Sequence, residues 1–343
     1  MKRMFTILFL FILLGNFNIF SQALTGDKII KATGGDYATL GAAITALNAN
    51  GASGTVNFIL DADTLRENSL IFTSVLTGDN KVVIKPAPGR NVTLIVSASA
   101  SVGNGPFMIG FSGGNITFDG SNNGTNTRNL QVTTEQIAPV VDVPFTVNHA
   151  DADNVVLKNM LIRNVVSGQT NFRYGAVIND LGGVTGFRVE NCQIGTPERP
   201  VRRDALAPWG GASVTNQFSF INNELNCGTR GVATIYLENS EIIGNTINVL
   251  PTTAGATDSY NHGIYITGHV GTLNIEGNKI NCIEKTLNAS AYLIGIALAG
   301  NGAEPTDIIH IVNNMINVGA ADETRYTYGI GLRSSQTMGN LKV

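Results

Sequence analysis

The sequence is poor in charged residues, and what it lacks removes whole classes of partner. Only 14% of its 343 residues are charged, and the net charge is −3. It has no basic block of the kind that neutralises nucleic-acid phosphates. After residue 21 it has no apolar run long enough for a membrane helix. We therefore predict no nucleic-acid partner, no membrane span in the mature protein and no cofactor.

The N-terminus has the features of a secretory signal peptide. Lys2 and Arg3 form a basic start, an apolar run at 4–14 follows, and Ser21 marks the expected cut. Removing residues 1–21 leaves 20 basic and 25 acidic residues, a net charge of −5. We predict an exported protein, either secreted or held at the cell surface.

A repeated pattern of two short alternating strands around an Asn/Gly corner is the strongest signal in the chain. Its clearest copies are FSFINNELNC at 218–227, LNIEGNKINC at 273–282 and IHIVNNMINV at 309–318. A second type of strand starts with a glycine and has apolar residues at the first and third positions after it. These strands begin at Gly175, Gly211, Gly231, Gly263, Gly295 and Gly329. A period of two indicates strands with one buried face.

Alignment on the corner gives one column of residues, spaced by 33, 31, 22, 33 and 36 positions. The column is Asn159, Cys192, Asn223, Asn245, Asn278 and Asn314. Asparagine adopts the left-handed backbone of a tight corner, and stacked carboxamides can bond to one another between turns. With fainter corners near Asp61, Ala87 and Ser121, this predicts an all-β, right-handed parallel β-helix (solenoid) of about nine coils.

The predicted domains follow from this register. Residues 22–55 form an N-terminal cap, in which Leu40, Ala43, Ile44 and Leu47 lie on one face of a helix that covers the first rung. Residues 56–343 form the β-helix. The repeat stops where another corner is due, so we expect the natural polypeptide to continue.

The segment GGDYATL at 34–40, followed by a helix and by strands near Val56 and Val83, resembles the start of pectin-lyase-like β-helix proteins. ITFDGSNNG at 116–124 is similar to a segment of large bacterial surface proteins with that fold. The resemblance implies the fold and export from a Gram-negative bacterium, often by the type IX route.

The resemblance does not extend to a known catalytic site. Leu65-Arg66-Glu67-Asn68 is similar to the first strand of pectin methylesterases, but their paired aspartates and glutamine motifs have no counterpart. Asn261-His262-Gly263 resembles one corner of the polygalacturonase site, without its aspartate pair. His262 is thus either a loop histidine or a base, and loop histidine is the commoner case.

The long insertions of the repeat are all predicted at one edge of the shaft, before the glycine-led strands. They run over 163–174, 195–210, 250–262, 283–294 and 317–328. Loops on a rigid scaffold commonly carry function. Candidate ligand-binding aromatic residues near the ends of these insertions are Phe172, Trp209, Tyr260, Tyr292 and Tyr326.

These rings either form a stripe that binds sugar rings or fold down and seal the loops, which large aromatic residues commonly do. Arg199, Arg202 and Arg203, with Arg173, add charge that suits an acidic sugar, although a surface salt-bridge cluster explains them equally well.

Carboxylates and thiols complete the candidates. Asp61/Asp63 and Asp151/Asp153 are two carboxylate pairs, but calcium needs six to eight oxygens, so we predict no metal site. Cys227 and Cys282 should lie two rungs apart, about 10 Å, beyond the roughly 7 Å that a disulfide spans. With Cys192 in the corner column, we predict three free, mostly buried thiols.

The sequence therefore predicts a non-catalytic surface or extracellular module that displays loops for adhesion or polysaccharide binding. The alternative is a polysaccharide lyase or glycoside hydrolase acting on an acidic glycan. An enzyme should bring carboxylates and a base together on one strand face.

Overall fold

The protein is described by a computed structural model over residues 22–98, 107–135, 143–147, 149–164, 172–178, 183–208, 217–250, 260–283, 292–299, 307–319, 326–332 and 340–342. The predicted signal peptide at 1–21, Trp209 and the predicted glycine-led strand at 211–214 lie outside these residues.

Three parallel β-sheets wind around one apolar core. Sheet A contains β1 (Leu24–Ile30), β2 (Ala52–Leu60), β5 (Lys81–Pro86), β8 (Ile116–Asp119), β11 (Val156–Lys158), β14 (Phe187–Glu190), β17 (Phe218–Ile221), β20 (Leu237–Ile243), β23 (His269–Glu276), β26 (Ile308–Val312) and β29 (Asn340–Lys342). Sheet B contains β3 (Thr64–Glu67), β6 (Val92–Val96), β9 (Leu130–Thr133), β12 (Met160–Ile162), β15 (Gln193–Ile194), β18 (Glu224–Cys227), β21 (Thr246–Val249), β24 (Lys279–Ile283) and β27 (Met315–Gly319). Sheet C contains β4 (Leu70–Phe72), β7 (Phe107–Phe111), β10 (Val143–Val147), β13 (Ala176–Ile178), β16 (Asp204–Pro208), β19 (Arg230–Thr234), β22 (Tyr260–Ile266), β25 (Tyr292–Leu298) and β28 (Thr327–Leu332).

From β2 onwards the chain visits sheets A, B and C in turn, so each strand pairs with the strand one turn earlier and one turn later. The nine strands of sheet B therefore span eight complete turns from the first to the ninth. This confirms the parallel β-helix and agrees with the predicted number of coils. Side chains that point inward stack at rung spacing, as shown by the near-parallel rings of Phe72, Phe111 and Phe145 with centroids 5.5 and 6.4 Å apart.

The predicted capping helix is present as α1 (Leu40–Asn50), and its buried residues are the four that the sequence predicts. Thr39 caps its start by accepting a hydrogen bond from the Ala42 amide. The Glu67 carboxylate, from sheet B, accepts the amide protons of Leu40 and Gly41 at 2.7 and 3.0 Å. These bonds satisfy donors that a helix start leaves open and tie the cap to the first coil.

One strand of the cap was missed from the sequence. β1 lies parallel to β2 and pairs with it from Gly26↔Val56 to Ile30↔Leu60. It carries no repeat motif, which is why the register did not reveal it.

No helix among the described residues has the length and apolarity that crossing a membrane requires.

The predicted asparagine column is a continuous hydrogen-bonded ladder at the corner between sheets A and B. The Oδ1 of Asn245 accepts from the backbone N and Nδ2 of Asn223 at 2.9 and 3.0 Å. The Oδ1 of Asn278 accepts in the same way from the backbone N and Nδ2 of Asn245. The Oδ1 of Asn314 accepts from those of Asn278, and all four distances are 2.9 to 3.0 Å. Each of these Nδ2 atoms also donates to a backbone carbonyl of the preceding turn. The ladder fills the hydrogen-bonding capacity of buried carboxamides.

One member of this column, Asn159, was predicted wrongly. Leu161 pairs with Gln193, so Met160, rather than Asn159, lies in line with Cys192. Asn159 belongs to the neighbouring column of left-handed corner residues, Asn159, Asn191, Asn222, Gly244, Gly277 and Asn313. The corner at Asn159 is one residue shorter than those that follow, and this difference shifted the alignment.

The three cysteines are free and buried, as predicted. Val249 lies between Cys227 and Cys282 in the register, which separates the two thiols by two rungs. Burial raises the pKa of Cys192 and of Cys282 to about 12, and it raises the pKa of Cys227 well above its ordinary value.

Because the thiolate is the reactive form, the native protein should resist alkylation at mildly alkaline pH. We expect iodoacetamide to modify no cysteine in the folded protein and all three after denaturation in guanidinium chloride, as read by intact mass. Rapid labelling of any native thiol, or an intramolecular disulfide in the mass spectrum, would contradict the register.

Candidate functional site

The candidate site lies at the edge where the chain passes from sheet B to sheet C. Four of the five predicted insertions follow β12, β21, β24 and β27, although β22, β25 and β28 begin within the last residues of three of them. The insertion at 195–210 is a correction, because it contains the whole of β16. Ala205 takes the glycine position in this rung, since its carbonyl accepts the Gly175 amide proton at 3.1 Å. The pattern search required a glycine and so selected Gly211 instead.

Three of the predicted aromatic residues follow one another in register along this edge. Tyr260 pairs with Tyr292 as a Cα partner, and the Leu293 amide donates to the carbonyl of Tyr326. We call Tyr260, Tyr292 and Tyr326 the tyrosine column. The rings of Tyr292 and Tyr326 stack with centroids 5.3 Å apart and planes 13° from parallel, and Tyr326 is 62% exposed. Stacking covers one face of each ring, so the exposed Tyr326 keeps its edges and its other face for a ligand.

The other two predicted aromatic residues do not join this surface. Phe172 is only 1% exposed and packs in the core, so its ring is not presented to a ligand. The Arg202 amide donates to the carbonyl of Phe172 at 2.7 Å, so an arginine stands in line with Phe172 one turn later. Trp209 lies outside the described residues.

A row of polar residues crosses sheet C at the position of His262, two residues after Tyr260 in β22. Asp204 pairs with Arg230, and Arg230 pairs with His262, in consecutive rungs. The Arg230 guanidinium donates from Nε and Nη2 to the two carboxylate oxygens of Asp204, both at 2.8 Å. Asp204 has no exposed surface, and the side chain of Arg230 is 18% exposed. The two donors and two oxygens match in geometry, and this fixes the positions of both charges.

Arginines also gather around Tyr174 at the start of β13. The Arg173 and Arg203 guanidinium carbons lie 5.2 and 5.9 Å from the centre of its ring. Burial raises the pKa of Tyr174, and the arginines oppose that shift. The Arg199 Nη1 donates to the carbonyl of Asn164 at 3.3 Å, and Arg202 is exposed. Arg173 and Arg203 therefore meet at Tyr174, and Arg199 and Arg202 lie in the same turn as Arg203.

His262 is buried within β22 and is 2% exposed, rather than standing in a loop. Its ring lies 4.8 Å from that of Tyr265, and Arg230 lies 5.5 Å above the Tyr265 ring. Among the described residues of this row, Asp204 is the sole carboxylate, and it is held in an ion pair. A glycosidase mechanism uses two carboxylates, one of them acting as an acid.

Both aspartate pairs make ordinary structural contacts. Asp61 binds Lys31 at 2.8 Å and shares Arg90 with Asp63, and these cations lower the pKa of Asp61. Asp151 lies 3.3 Å from His149, and Asp153 accepts the amide proton of Thr185. Within the described ranges no three metal-ligating side chains group together.

A cavity of about 480 Å³ lies beside the cap, between the start of α1 and the first strand of sheet B. Glu67 lines it, and burial raises the pKa of this carboxyl group. Both carboxylate oxygens already bind the helix start, which makes Glu67 a structural residue.

The arginines were predicted from the sequence, but Tyr174, Tyr265 and the Asp204–Arg230 pair were not. These residues meet across turns of different length, with 26 residues from Asp204 to Arg230 in place of the 31 and 22 of the neighbouring corners. The signal available in advance was the Asp204-Ala205-Leu206 alternation, read without requiring a leading glycine.

No family model and no curated protein matches the chain. Among solved structures, it is similar to the pectin methylesterase from Aspergillus niger, with 12% identity over 94% of this chain and 93% of that one, and a TM-score of 0.40. It is also similar to the Dettilon tailspike protein, with 13% identity over 89% and 67% of the two chains and a TM-score of 0.31. A third similarity is to the A-module of a mannuronan C-5 epimerase from Azotobacter vinelandii, with 14% identity over 87% and 95% and a TM-score of 0.27. Each is a likeness of fold and assigns no activity to this chain.

Proposed function

We propose that the protein is an exported module, secreted or held on the surface of a Gram-negative cell, that binds an acidic polysaccharide along the edge between sheets B and C. The observation that carries the proposal is the group of arginines on three consecutive turns, of which Arg173, Arg203 and Arg230 lie close to Tyr174. Among the described residues at 172–178, 195–208 and 228–234, five arginines stand against two carboxylates, a local excess of three positive charges. They are Arg173, Arg199, Arg202, Arg203 and Arg230, with Glu198 and Asp204.

Such an excess is unusual on a chain whose net charge is −3. Guanidinium groups bind carboxylates through charge-assisted hydrogen bonds, and clustered charge raises the local concentration of an oppositely charged ligand. The repeat of the shaft brings one rung about every 4.8 Å, so an extended chain with one acidic sugar per rung finds regularly spaced partners. The tyrosine column continues the edge beyond the arginines, and its exposed member Tyr326 supplies a phenol hydroxyl group and apolar ring surface.

The binding proposal is tested with polygalacturonate and alginate in affinity electrophoresis or calorimetry. We expect the Arg199→Ala/Arg202→Ala variant to bind at least about ten-fold more weakly, since one charge-assisted hydrogen bond contributes about 1.5 kcal/mol or more. Binding by the wild type should weaken as salt is added. The Tyr326→Ala variant should show a smaller loss.

Arg66→Ala is the matched control, because Arg66 is exposed, pairs with Glu135 and lies in the first coil. Equal affinity of wild type and the double-arginine variant, or no binding of either uronate polymer by the wild type, would refute the proposal.

The alternative is a lyase or hydrolase acting on the same class of glycan. The Asp204–Arg230–His262 row favours it, because a carboxylate, a cation and an imidazole stand in three consecutive rungs. Incubation with uronate polymers separates the two functions. New reducing ends or unsaturated products that disappear in the His262→Ala variant would establish the enzyme, whereas binding without products supports the display module.

A further inference from the structure

A second row of asparagines runs along the outer face of sheet B. Asn226, Asn248, Asn281 and Asn317 are partners in register over four consecutive turns. The Nδ2 of Asn281 donates to the Oδ1 of Asn248, and the Nδ2 of Asn248 donates to the Oδ1 of Asn226, both at 3.0 Å. Exposure increases along the row from Asn226, which is fully buried, to Asn317, which is exposed. We call these four residues the outer row.

Asn226 is buried and bonds to the carbonyl of Gly195. The fold does not require asparagine at the other three positions of the outer row. The inner ladder at Asn245 satisfies buried corner amides, but the outer row lies mid-strand on the face away from the core. Any polar side chain can occupy an outward position of a strand, and asparagine is among the poorer strand formers. Threonine, which strands favour, occupies Thr246 two positions earlier in the same strand.

What the outer row supplies is a regular set of hydrogen-bonding groups. A carboxamide has two N–H donors and an oxygen with two lone pairs. In Asn248 and Asn281 the row bond uses one of the two donors. In Asn248 the bond from Asn281 also uses one of the two lone pairs of Oδ1. A donor and an acceptor therefore recur once per rung, about every 4.8 Å.

The charge of this face selects the chemistry of its partner. Beside the outer row, the neighbouring column over the same four turns is Glu224, Thr246, Lys279 and Met315. The Glu224 carboxylate lies 3.6 Å from the Arg128 guanidinium, so its charge is compensated. The one lysine of the column is too little for nucleic acid or an anionic glycan. The cores of protein interfaces are rich in aromatic residues and arginine, and this face has neither in the described strands β21, β24 and β27. An uncharged polymer of hydroxyl groups fits best.

We propose that the outer face of sheet B, over Asn248, Asn281 and Asn317, is a second binding surface that takes an extended, uncharged polysaccharide. This surface begins beside the edge between sheets B and C, where Asn226 bonds to Gly195 and Val201, and it differs from that edge in the charge of its ligand. The protein thus has one surface for an acidic chain and another for a neutral one.

The experiment measures retention of the whole chain on phosphoric-acid-swollen cellulose and colloidal chitin. The Asn248→Thr/Asn281→Thr variant keeps a polar side chain and gains strand propensity but loses the carboxamides. We expect at least a ten-fold fall in affinity for the retaining polymer and no change in polygalacturonate binding. Asn274→Thr, a half-buried outward asparagine of sheet A, is the control and should bind as the wild type does.

Denaturant unfolding of the same samples keeps the test decisive. If the double variant is less stable than the wild type, the single Asn317→Thr variant at the exposed end replaces it, with an expected fall of about three-fold. Failure of the wild type to bind either neutral polymer, or unchanged retention of a folded variant, would overturn the inference. Neither outcome bears on the acidic-glycan proposal, which is read on polygalacturonate alone.

Discussion

Replacing Asn245 by alanine is expected to lower the free energy of unfolding by at least about 3 kcal/mol, because it leaves several buried polar groups without partners. The backbone N and Nδ2 of Asn223 lose their shared acceptor. The Oδ1 of Asn278 loses one of its two donors, the Nδ2 of Asn245, and the carbonyl of Phe220 loses the same donor. Asn223, Asn245 and Asn278 are at most 2% exposed, so water does not readily replace these bonds.

Asn248→Ala is the matched control, because it removes the same side chain from the same turn. Asn248 also belongs to a row of bonded carboxamides, but it is only half-buried and lies on the outer face. We expect its loss to cost under about 1 kcal/mol, as for hydrogen bonds that solvent can replace. Equal shifts in the denaturant midpoint for the two variants would show that the inner ladder carries no special share of stability.

The aspartate variant N245D separates shape from hydrogen bonding. It keeps the acceptor for Asn223 but turns the donor into an oxygen that faces the Oδ1 of Asn278 and the carbonyl of Phe220, at positions now 3.0 and 2.8 Å away. Burial and these acceptors raise the pKa of the new carboxyl group in the folded state above the unfolded value of about 3.9. Protonation then favours the folded form, so N245D should gain stability relative to the wild type as the pH falls from neutral.

Amide hydrogen exchange reads the same change locally. The Asn223 amide should lose protection in Asn245→Ala, whereas amides of the first coils should keep theirs, because a solenoid is stabilised mainly by contacts between neighbouring turns.

The ladder was predictable from the sequence because asparagine recurs at a fixed place relative to the alternating strands around it. The separate roles of the two corner residues were not predictable. In the turn of Asn222 and Asn223, the first residue is left-handed, with φ of 54°, and the second forms the ladder. Asparagine suits both roles, so composition alone could not assign them. Glycine at Gly244 and Gly277 marks the first role, and this is the clue that the alignment on one column left unused.

The candidate site was less predictable, for a physical reason. Side chains meet there across turns whose lengths vary, so contacts such as Asp204 with Arg230 depend on which residues bulge out between strands. Residue type indicated the arginines and the tyrosine column, since few such residues lie near the predicted edge. Burial of Phe172 and His262 depends on packing that no local pattern encodes.

Gly263→Ala is the second change with a large expected effect, about 3 kcal/mol of lost stability, which is typical of overpacking a tight core. A Cβ atom at Gly263 would lie 2.3 Å from the Cγ2 of Ile280 and 2.5 Å from the carbonyl oxygen of Gly295. Both atoms belong to the next turn, and the carbonyl cannot move without disturbing the ladder of sheet C. The denaturant midpoint measures the loss.

Gly277→Asn is the control for glycine replacement as such. Gly277 has φ of 63°, and no atom lies within 4 Å of a Cβ placed there. Asparagine already occupies the equivalent left-handed corner at Asn222 and Asn313. We expect a change of less than about 0.5 kcal/mol, as for surface substitutions that break no specific contact. A large loss at Gly277 would mean that the glycine effect is general and not due to the close approach of the next turn.

At Ala205 the chain already carries alanine at the position equivalent to Gly263, and there the facing residue of the next turn is a leucine instead of an isoleucine. Along this column, Gly175, Gly231, Gly263 and Gly295 each face the Cγ2 of an isoleucine in the next turn, at 2.2 to 2.4 Å from an added Cβ. At Ala205 the following turn of sheet B carries Leu225, which has no Cγ2 because it branches one carbon later. The double variant Gly263→Ala/Ile280→Leu should therefore be more stable than the sum of the single changes predicts, by about 1 kcal/mol or more. Strict additivity would place the whole clash on the Gly295 carbonyl and would make the pairing of Ala205 with Leu225 incidental to the packing of the column.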